Sequence, residues 1–358
     1  MALLDIYAGR TAYRALAEQG LKSELFDFML GASGGPKWFV LAGLDRVIFP
    51  SFFAGRSRPL HALGSSAGAF RFACFAQSDP LAAINRLAEH YSHTVYSDRP
   101  DAAEISAKGR QLLTHVLGQT GVEEIIQNPV IKAHFIVARS RGLTRFERKE
   151  AQLLGLLGAA SGNALGRRQL RHFFERFVFS ADTELMLGDP SGITSQFVPL
   201  RSDNLQQALM ASGSIPLVLE GVKDIAGAPP GMYRDGGIID YHFDLTLQST
   251  TQQQGLVLYP HFWPKPAPGW FDKRGRRQPH KASYDNVVML VPSAEFIGSL
   301  PYGKIPDRKD FETMPPEQRI PYWQEVIRRS DELGQAFVEL THRQDLTSVM
   351  RPIEFTRN

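Results

Sequence analysis

The sequence predicts an α/β fold in which short apolar strands run into glycine-rich turns and the turns into helices. Residues 59–68 read PLHALGSSAG, an apolar strand that passes into Gly64-Ser65-Ser66-Ala67-Gly68 and on into the Ala- and Phe-rich, proline-free segment 67–77. Residues 25–30 (LFDFML) make a second such strand, which opens onto Gly31-Ala32-Ser33-Gly34-Gly35-Pro36-Lys37 and then a helical stretch at 37–48. Strand, tight turn and helix, repeated in that order, build a central, mostly parallel sheet covered by helices. Composition agrees, since 358 residues with 43% hydrophobic and 22% charged side chains can bury a large core in one or two domains.

The elements follow in order along the chain. Residues 11–20 carry a helical pattern that stops at Gly20, ahead of the strand at 25–30. Pro36 suits a first helical position, so the helix at 37–48 points its N-terminal amides, with those of the glycines before it, at one spot. Asp79-Pro80 caps and starts a helix to about residue 90, and 101–117 has the period of another. Residues 131–139 (IKAHFIVAR) read as a largely apolar strand whose His134 packs inside. Residues 152–166 mix leucine with four glycines between Arg145, Arg148, Lys149 and Arg167, Arg168, Arg171, a pattern that fits a helical lid or a helix at a membrane surface. Short strands are expected at 177–180, 196–200, 256–259 and 287–291, and a capped helix at 202–211. The motif-bearing core spans about 25–295, and a helical extension at about 300–358 lies outside it in a single domain.

Charge and cysteine content narrow the function classes. A net charge of +3, from 40 basic and 37 acidic residues, does not argue for a nucleic-acid partner. The one cysteine, Cys74, cannot form an intrachain disulfide and sits where a small buried hydrophobe fits. The N-terminus lacks a leader pattern and no run of about 18 apolar residues occurs, so a cytoplasmic protein is expected, at most peripheral to a membrane.

Three stretches carry chemistry. In G-x-S-x-G the glycines tolerate the strained, crowded turn that lifts a serine hydroxyl out of regular structure, which makes Ser66 a candidate nucleophile with Gly64 and Gly68 framing it. The amides around Gly34, Gly35 and Lys37 would receive an anion; a Walker phosphate loop is excluded because Pro36 and Trp38 stand where it needs glycine and Ser or Thr. Tyr233-Arg234-Asp235-Gly236-Gly237 contains an Asp-Gly pair that on its own also reads as a hairpin turn.

In their order, SGGPK at 33–37, GSSAG at 64–68 and DGG at 235–237, together with ASGSIP at 211–216, resemble the patatin-like phospholipase family over about residues 25–259. The resemblance implies a three-layer α/β/α patatin-like fold and a lipid acyl hydrolase that needs neither metal nor cofactor. It implies Ser66 as nucleophile, Asp235 as its only catalytic partner in a motif completed by Gly236 and Gly237, and Gly34, Gly35 and Lys37 as the oxyanion hole. Ser33 and Trp38 depart from the family's glycines, so a more crowded hole is expected. Two alternatives stand beside this reading: an α/β-hydrolase triad using a late histidine such as His280 or His342, and a lipid-binding protein without turnover. The loop at 263–281, with Trp263, Trp270 and Phe271 followed by Lys273, Arg274, Arg276, Arg277 and Lys281, is expected to dock on anionic membranes together with the 152–166 segment, the alternative being a solvated loop whose aromatics pack back on the domain.

Overall fold

Thirteen strands order the chain in the computed structural model, which describes residues 3–250, 255–273, 275 and 277–357. They are β1 Leu4–Ala8, β2 Phe26–Gly31, β3 Leu60–Ser65, β4 Ile131–Ser140, β5 Phe174–Ser180, β6 Leu185–Gly188 and β7 Ser195–Pro199. The rest are β8 Val222–Lys223, β9 Met232–Asp235, β10 Thr246–Ser249, β11 Leu256–Pro260, β12 Val287–Pro292 and β13 Met350–Pro352. Eleven of them form one sheet whose main path runs β13-β1-β12-β11-β2-β3-β4-β5-β7. From β12 through β4 every neighbouring pair is parallel, while β1 and β5 pack antiparallel at either side.

The middle strands are buried on both faces, which is why β2, β3, β11 and β12 read as nearly unbroken apolar runs rather than alternating ones. Helices on the two faces complete a three-layer α/β/α arrangement. The helix Ala67–Phe75 leads directly from β3 and buries Phe72, Ala73, Cys74 and Phe75, with Pro80–Ser92 packed outside it. A second, smaller apolar cluster gathers Ile238, Ile239, Phe174 and Leu170 under the helix Lys149–Leu165.

The expected strands at 25–30, 131–139, 256–259 and 287–291 are β2, β4, β11 and β12. The helix expected at 37–48 begins instead as a tight 3₁₀ turn over Gly35–Leu41 and becomes α-helical at Ala42–Val47, entered through Gly35 at φ 56°. The stretch at 152–166 is a regular helix despite its glycines, because Gly155 lets it lie against the Leu143–Thr144 backbone, where a Cβ would come within 2.7 Å. The C-terminal residues are not an outer layer only: Trp323 is fully buried, its ring 5.2 Å from that of Phe39, and β13 extends the sheet beside β1. No helix among the described residues is long and apolar enough to cross a membrane.

Candidate active site

Ser66 is the first residue past β3, and its backbone sits at φ 53°, ψ −123°, a conformation L side chains rarely adopt. The turn is held by Ser212, whose Oγ accepts the Ser66 N–H at 2.9 Å and itself donates to the Ile136 carbonyl at 2.8 Å. Close packing explains the glycines. A Cβ on Gly68 would lie 1.8 Å from the Gly31 carbonyl oxygen, and one on Gly64 2.5 Å from the Gly68 backbone, so larger residues would push the helix off β2. Only thus does Ala67–Phe75 lie close enough to the sheet to present Ser66 at the carboxyl ends of the parallel strands.

Asp235 arrives from the opposite direction. β3 is parallel to β4 and ends with Ser65 opposite Ile136; β9 is antiparallel to β4 and ends with Asp235 opposite Val137. The two strands therefore meet head-on along one edge of β4, and the side chains that follow are brought together. Ser66 Oγ donates to Asp235 Oδ2 at 2.9 Å, and Asp235 Oδ1 accepts the Gly237 N–H at 2.7 Å. Gly236 and Gly237 make room for this: their Cβ atoms would fall 2.2 Å from the Ile136 carbonyl oxygen and 2.4 Å from Ser33 Oγ. No hairpin forms at Asp235-Gly236; the chain turns there in a short 3₁₀ helix, Gly236–Ile238.

Burial pushes the Asp235 carboxyl up to about 6, while the Gly237 amide, the Ser66 hydroxyl and the charges of Lys273 and Arg308 pull the other way. The Lys273 ammonium lies 3.7 Å from the centre of the Tyr241 ring, and desolvation lowers it to about 7 despite the favourable pull of Asp235.

The glycine-rich loop leaves β2 beside the serine turn, since Gly31 is paired with Gly64 across the sheet. No described group accepts a hydrogen bond from the amides of Gly34 or Gly35, and Gly35 shares a cavity wall with Ser66. A Cβ at Gly34 would meet the Phe262 ring at 2.6 Å. Lys37 is ion-paired with Asp307, which ties the loop to the 301–310 segment. The polar atoms of Ser33 and Trp38 have partners other than the Ser66 hydroxyl: Ser33 Oγ donates to Ser65 Oγ at 3.1 Å, and the buried Trp38 indole donates to Asp45 at 2.8 Å. Trp38 nonetheless contributes to the cavity wall.

That cavity, about 740 Å³, opens beside Ser66. Phe70, Leu112, Met210, Val218, Leu219 and Phe311 give it apolar walls, with Arg308 among the lining residues. Tyr91, Ser97, Asp98, Lys108, Glu312 and Arg319 also line it, so its size is that of a small-molecule site whose apolar walls carry several polar and charged groups.

No histidine hydrogen-bonds Ser66 or Asp235 among the described residues. His280 Nδ1 pairs with Asp244 at 2.8 Å, and His342 lies at the end of the outer helix Asp331–His342. His61 and His134 face each other at 3.1 Å near the opposite, N-terminal end of β3, with Asp182 completing a group whose candidate ligand atoms all lie within 4.8 Å. Ser180 Oγ donates to the Asp182 carbonyl at 2.6 Å, so it must accept from His134 Nδ1 at 2.7 Å, leaving His134 Nε2 to accept from His61. These bonds tie β3, β4 and β5 together, while His61 Nε2 and Asp182 Oδ2 are buried without a hydrogen-bond partner among the described residues.

Sequence reasoning missed two things. Ser212 lies in the ASGSIP stretch, but the Ser66 amide that it holds is 146 residues away. Arg167 reads as a surface cation flanking the 152–166 segment; it is buried, donating to Asp240 Oδ1 at 3.1 Å and to the Ile239 carbonyl at 2.8 Å. Arg176 holds the same carboxylate at 2.6 and 2.9 Å, so two guanidinium groups anchor the segment that follows Asp235. In the basic, aromatic loop Trp270 and Phe271 pack on the smaller cluster and Arg277 pairs with Asp272 at 2.9 Å, so these side chains face the protein; Arg274 and Arg276 lie outside the described residues.

No protein-family model matches the chain, and no curated protein matches it. Among solved structures, the crystal structure of VipD from Legionella pneumophila is similar over 72% of this chain, with a TM-score of 0.31 and 12% identity. The chain spans about half of that protein, 53% of its length.

Proposed function

We propose that the protein is a serine acyl hydrolase that cleaves carboxylic esters of lipids through a Ser66–Asp235 dyad. The observation that carries this reading is the 2.9 Å hydrogen bond from Ser66 Oγ to the Asp235 carboxylate at a strained strand-to-helix turn. In the proposed reaction Asp235 Oδ2 takes the hydroxyl proton as Ser66 Oγ attacks the ester carbonyl, and the former carbonyl oxygen becomes an anion. The unpartnered amides of Gly34 and Gly35 are the donors available to it, and each such donor contributes roughly 2.7–4 kcal/mol of barrier lowering. Asp235 then gives the proton to the departing alcohol, and water, activated by the same carboxylate, releases the acid from Ser66.

A lone aspartate is a weak base at its ordinary pKa of about 3.9. Burial that lifts Asp235 to about 6 narrows the gap to neutral pH while leaving most of the carboxylate ionised there. The lipid assignment rests on the apolar part of the cavity wall beside the serine, which suits an acyl chain, and on the resemblance of the ordered motifs to the patatin-like phospholipase family. A fluorophosphonate probe tests the reading: covalent labelling of the native chain that maps to Ser66 and disappears in Ser66→Ala supports it, and an unlabelled native chain overturns it.

A further inference from the structure

The helix Lys149–Leu165 is apolar on both sides. Gln152, Leu156, Ala159 and Asn163, at alternating four- and three-residue spacing, form its buried face. Leu153, Leu154, Leu157 and Leu165 point outward and are 48%, 61%, 56% and 88% exposed, joined by Leu143 and Phe146 from the segment just before. No charged residue occurs from 151 to 165. A helix at a water-facing surface carries polar residues outside, and one that is apolar all round has cover on both sides.

The helix cannot roll its leucines inward. Gln152 donates to the Phe146 carbonyl at 3.0 Å and accepts the Leu217 N–H at 2.6 Å, and Asn163 donates to Asp272 at 2.8 Å. Both ends of the apolar face are cationic. Arg145, Arg148 and Lys149 precede it and Arg168 and Arg171 follow it, all exposed; of the acidic residues at the first end, Glu147 is engaged by Arg234 at 2.8 Å and the exposed Glu150 offsets one cation, which leaves a net positive charge at either end. An uncharged apolar centre between two basic ends matches a bilayer, whose acyl interior takes leucine and whose anionic headgroups take arginine and lysine.

We propose that the exposed face of the helix Lys149–Leu165, with its flanking basic residues, anchors the protein to anionic lipid bilayers. Gln152, through its bond to Leu217, places this anchor against the segment that also supplies Val218 and Leu219 to the cavity beside Ser66. The anchor does not depend on turnover at Ser66.

Co-sedimentation of the full chain carrying Ser66→Ala, which leaves vesicles intact, tests the anchor separately from hydrolysis. The protein is expected to pellet with phosphatidylcholine vesicles that contain phosphatidylserine, and to be released as salt rises. Leu154→Glu with Leu157→Glu should weaken this binding tenfold or more while keeping the parent's melting temperature, because both side chains are exposed. Arg145→Gln, Arg148→Gln and Lys149→Gln together should weaken it on the order of a hundredfold on anionic vesicles. Absence of binding to phosphatidylserine vesicles, or equal binding by the leucine variant, overturns the proposal. So does a dimer in light scattering that the leucine variant dissolves, which assigns the face to a second copy of the chain.

Discussion

Arg71 and Asp45 form a two-pronged ion pair inside the core, with Nη2 and Nε donating to the two carboxylate oxygens at 2.6 and 2.8 Å and neither side chain open to solvent. Arg71 lies on the helix that Ser66 begins, Asp45 on Ala42–Val47 after the glycine loop, and Trp38 donates to the same carboxylate. The pair therefore fixes the serine helix relative to the loop. Asp45→Ala leaves a buried guanidinium and an indole N–H without an acceptor, and we expect it to cost about 3–5 kcal/mol in denaturant unfolding. A loss within ~1 kcal/mol, the range of an exposed pair, would contradict this account.

Ser66→Ala removes one oxygen from a turn with little packing duty, so the fold should persist while hydrolysis of a short nitrophenyl ester disappears. Ser65→Ala takes away a partner of Ser33 only and should retain most turnover. Histidine variants, including His280→Ala and His342→Ala, should also remain active, since neither side chain touches Ser66 or Asp235. Initial rates on purified variants decide between dyad and triad: a histidine as indispensable as Ser66 restores the triad.

As the proposed base, Asp235 should set the pH profile. Asp235 accepts a proton only when ionised, so turnover should rise with pH through about 6. Asp235→Asn should lower the rate by orders of magnitude at every pH, with Ser66 still in place.

The same substitution should stabilise the protein. Burial raises the folded-state pKa of Asp235 above its unfolded value, so the native state holds the proton more tightly and loses stability as pH climbs through about 6. Asparagine bears no such charge. Its advantage should be absent below about pH 4 and reach roughly 2–3 kcal/mol above pH 7. Melting curves of both proteins across that range check the sign.

Lys273 favours the ionised form of Asp235 and is itself protonated below about 7. Lys273→Gln should therefore move the acid limb of the rate profile upward. An unmoved limb would show that the ammonium does not act on the carboxylate.

How far the sequence could be read follows from the reach of each interaction. The serine turn, the glycine loop and the Asp-Gly-Gly turn were legible because each demands particular residue types within a few positions. β1 was not: LDIYA is five residues without turn signals, and its strand character comes from pairing with β12, almost 290 residues on. Arg167 misled because a cation in a basic run looks solvated until its acceptor, Asp240, is brought to it by the fold. The cavity was equally invisible, since its walls come from segments near 70, 110, 215 and 310.

Phe311, Met314 and Arg319 close one side of that cavity, and all come from the chain beyond 300, past every stretch that carries the serine, its base or the glycine loop. The Ser66–Asp235 pair and this side of the cavity thus come from stretches far apart in the sequence. A substitution at Phe311, Met314 or Arg319 therefore alters the chamber without replacing any residue of the serine turn, the Asp-Gly-Gly turn or the glycine loop.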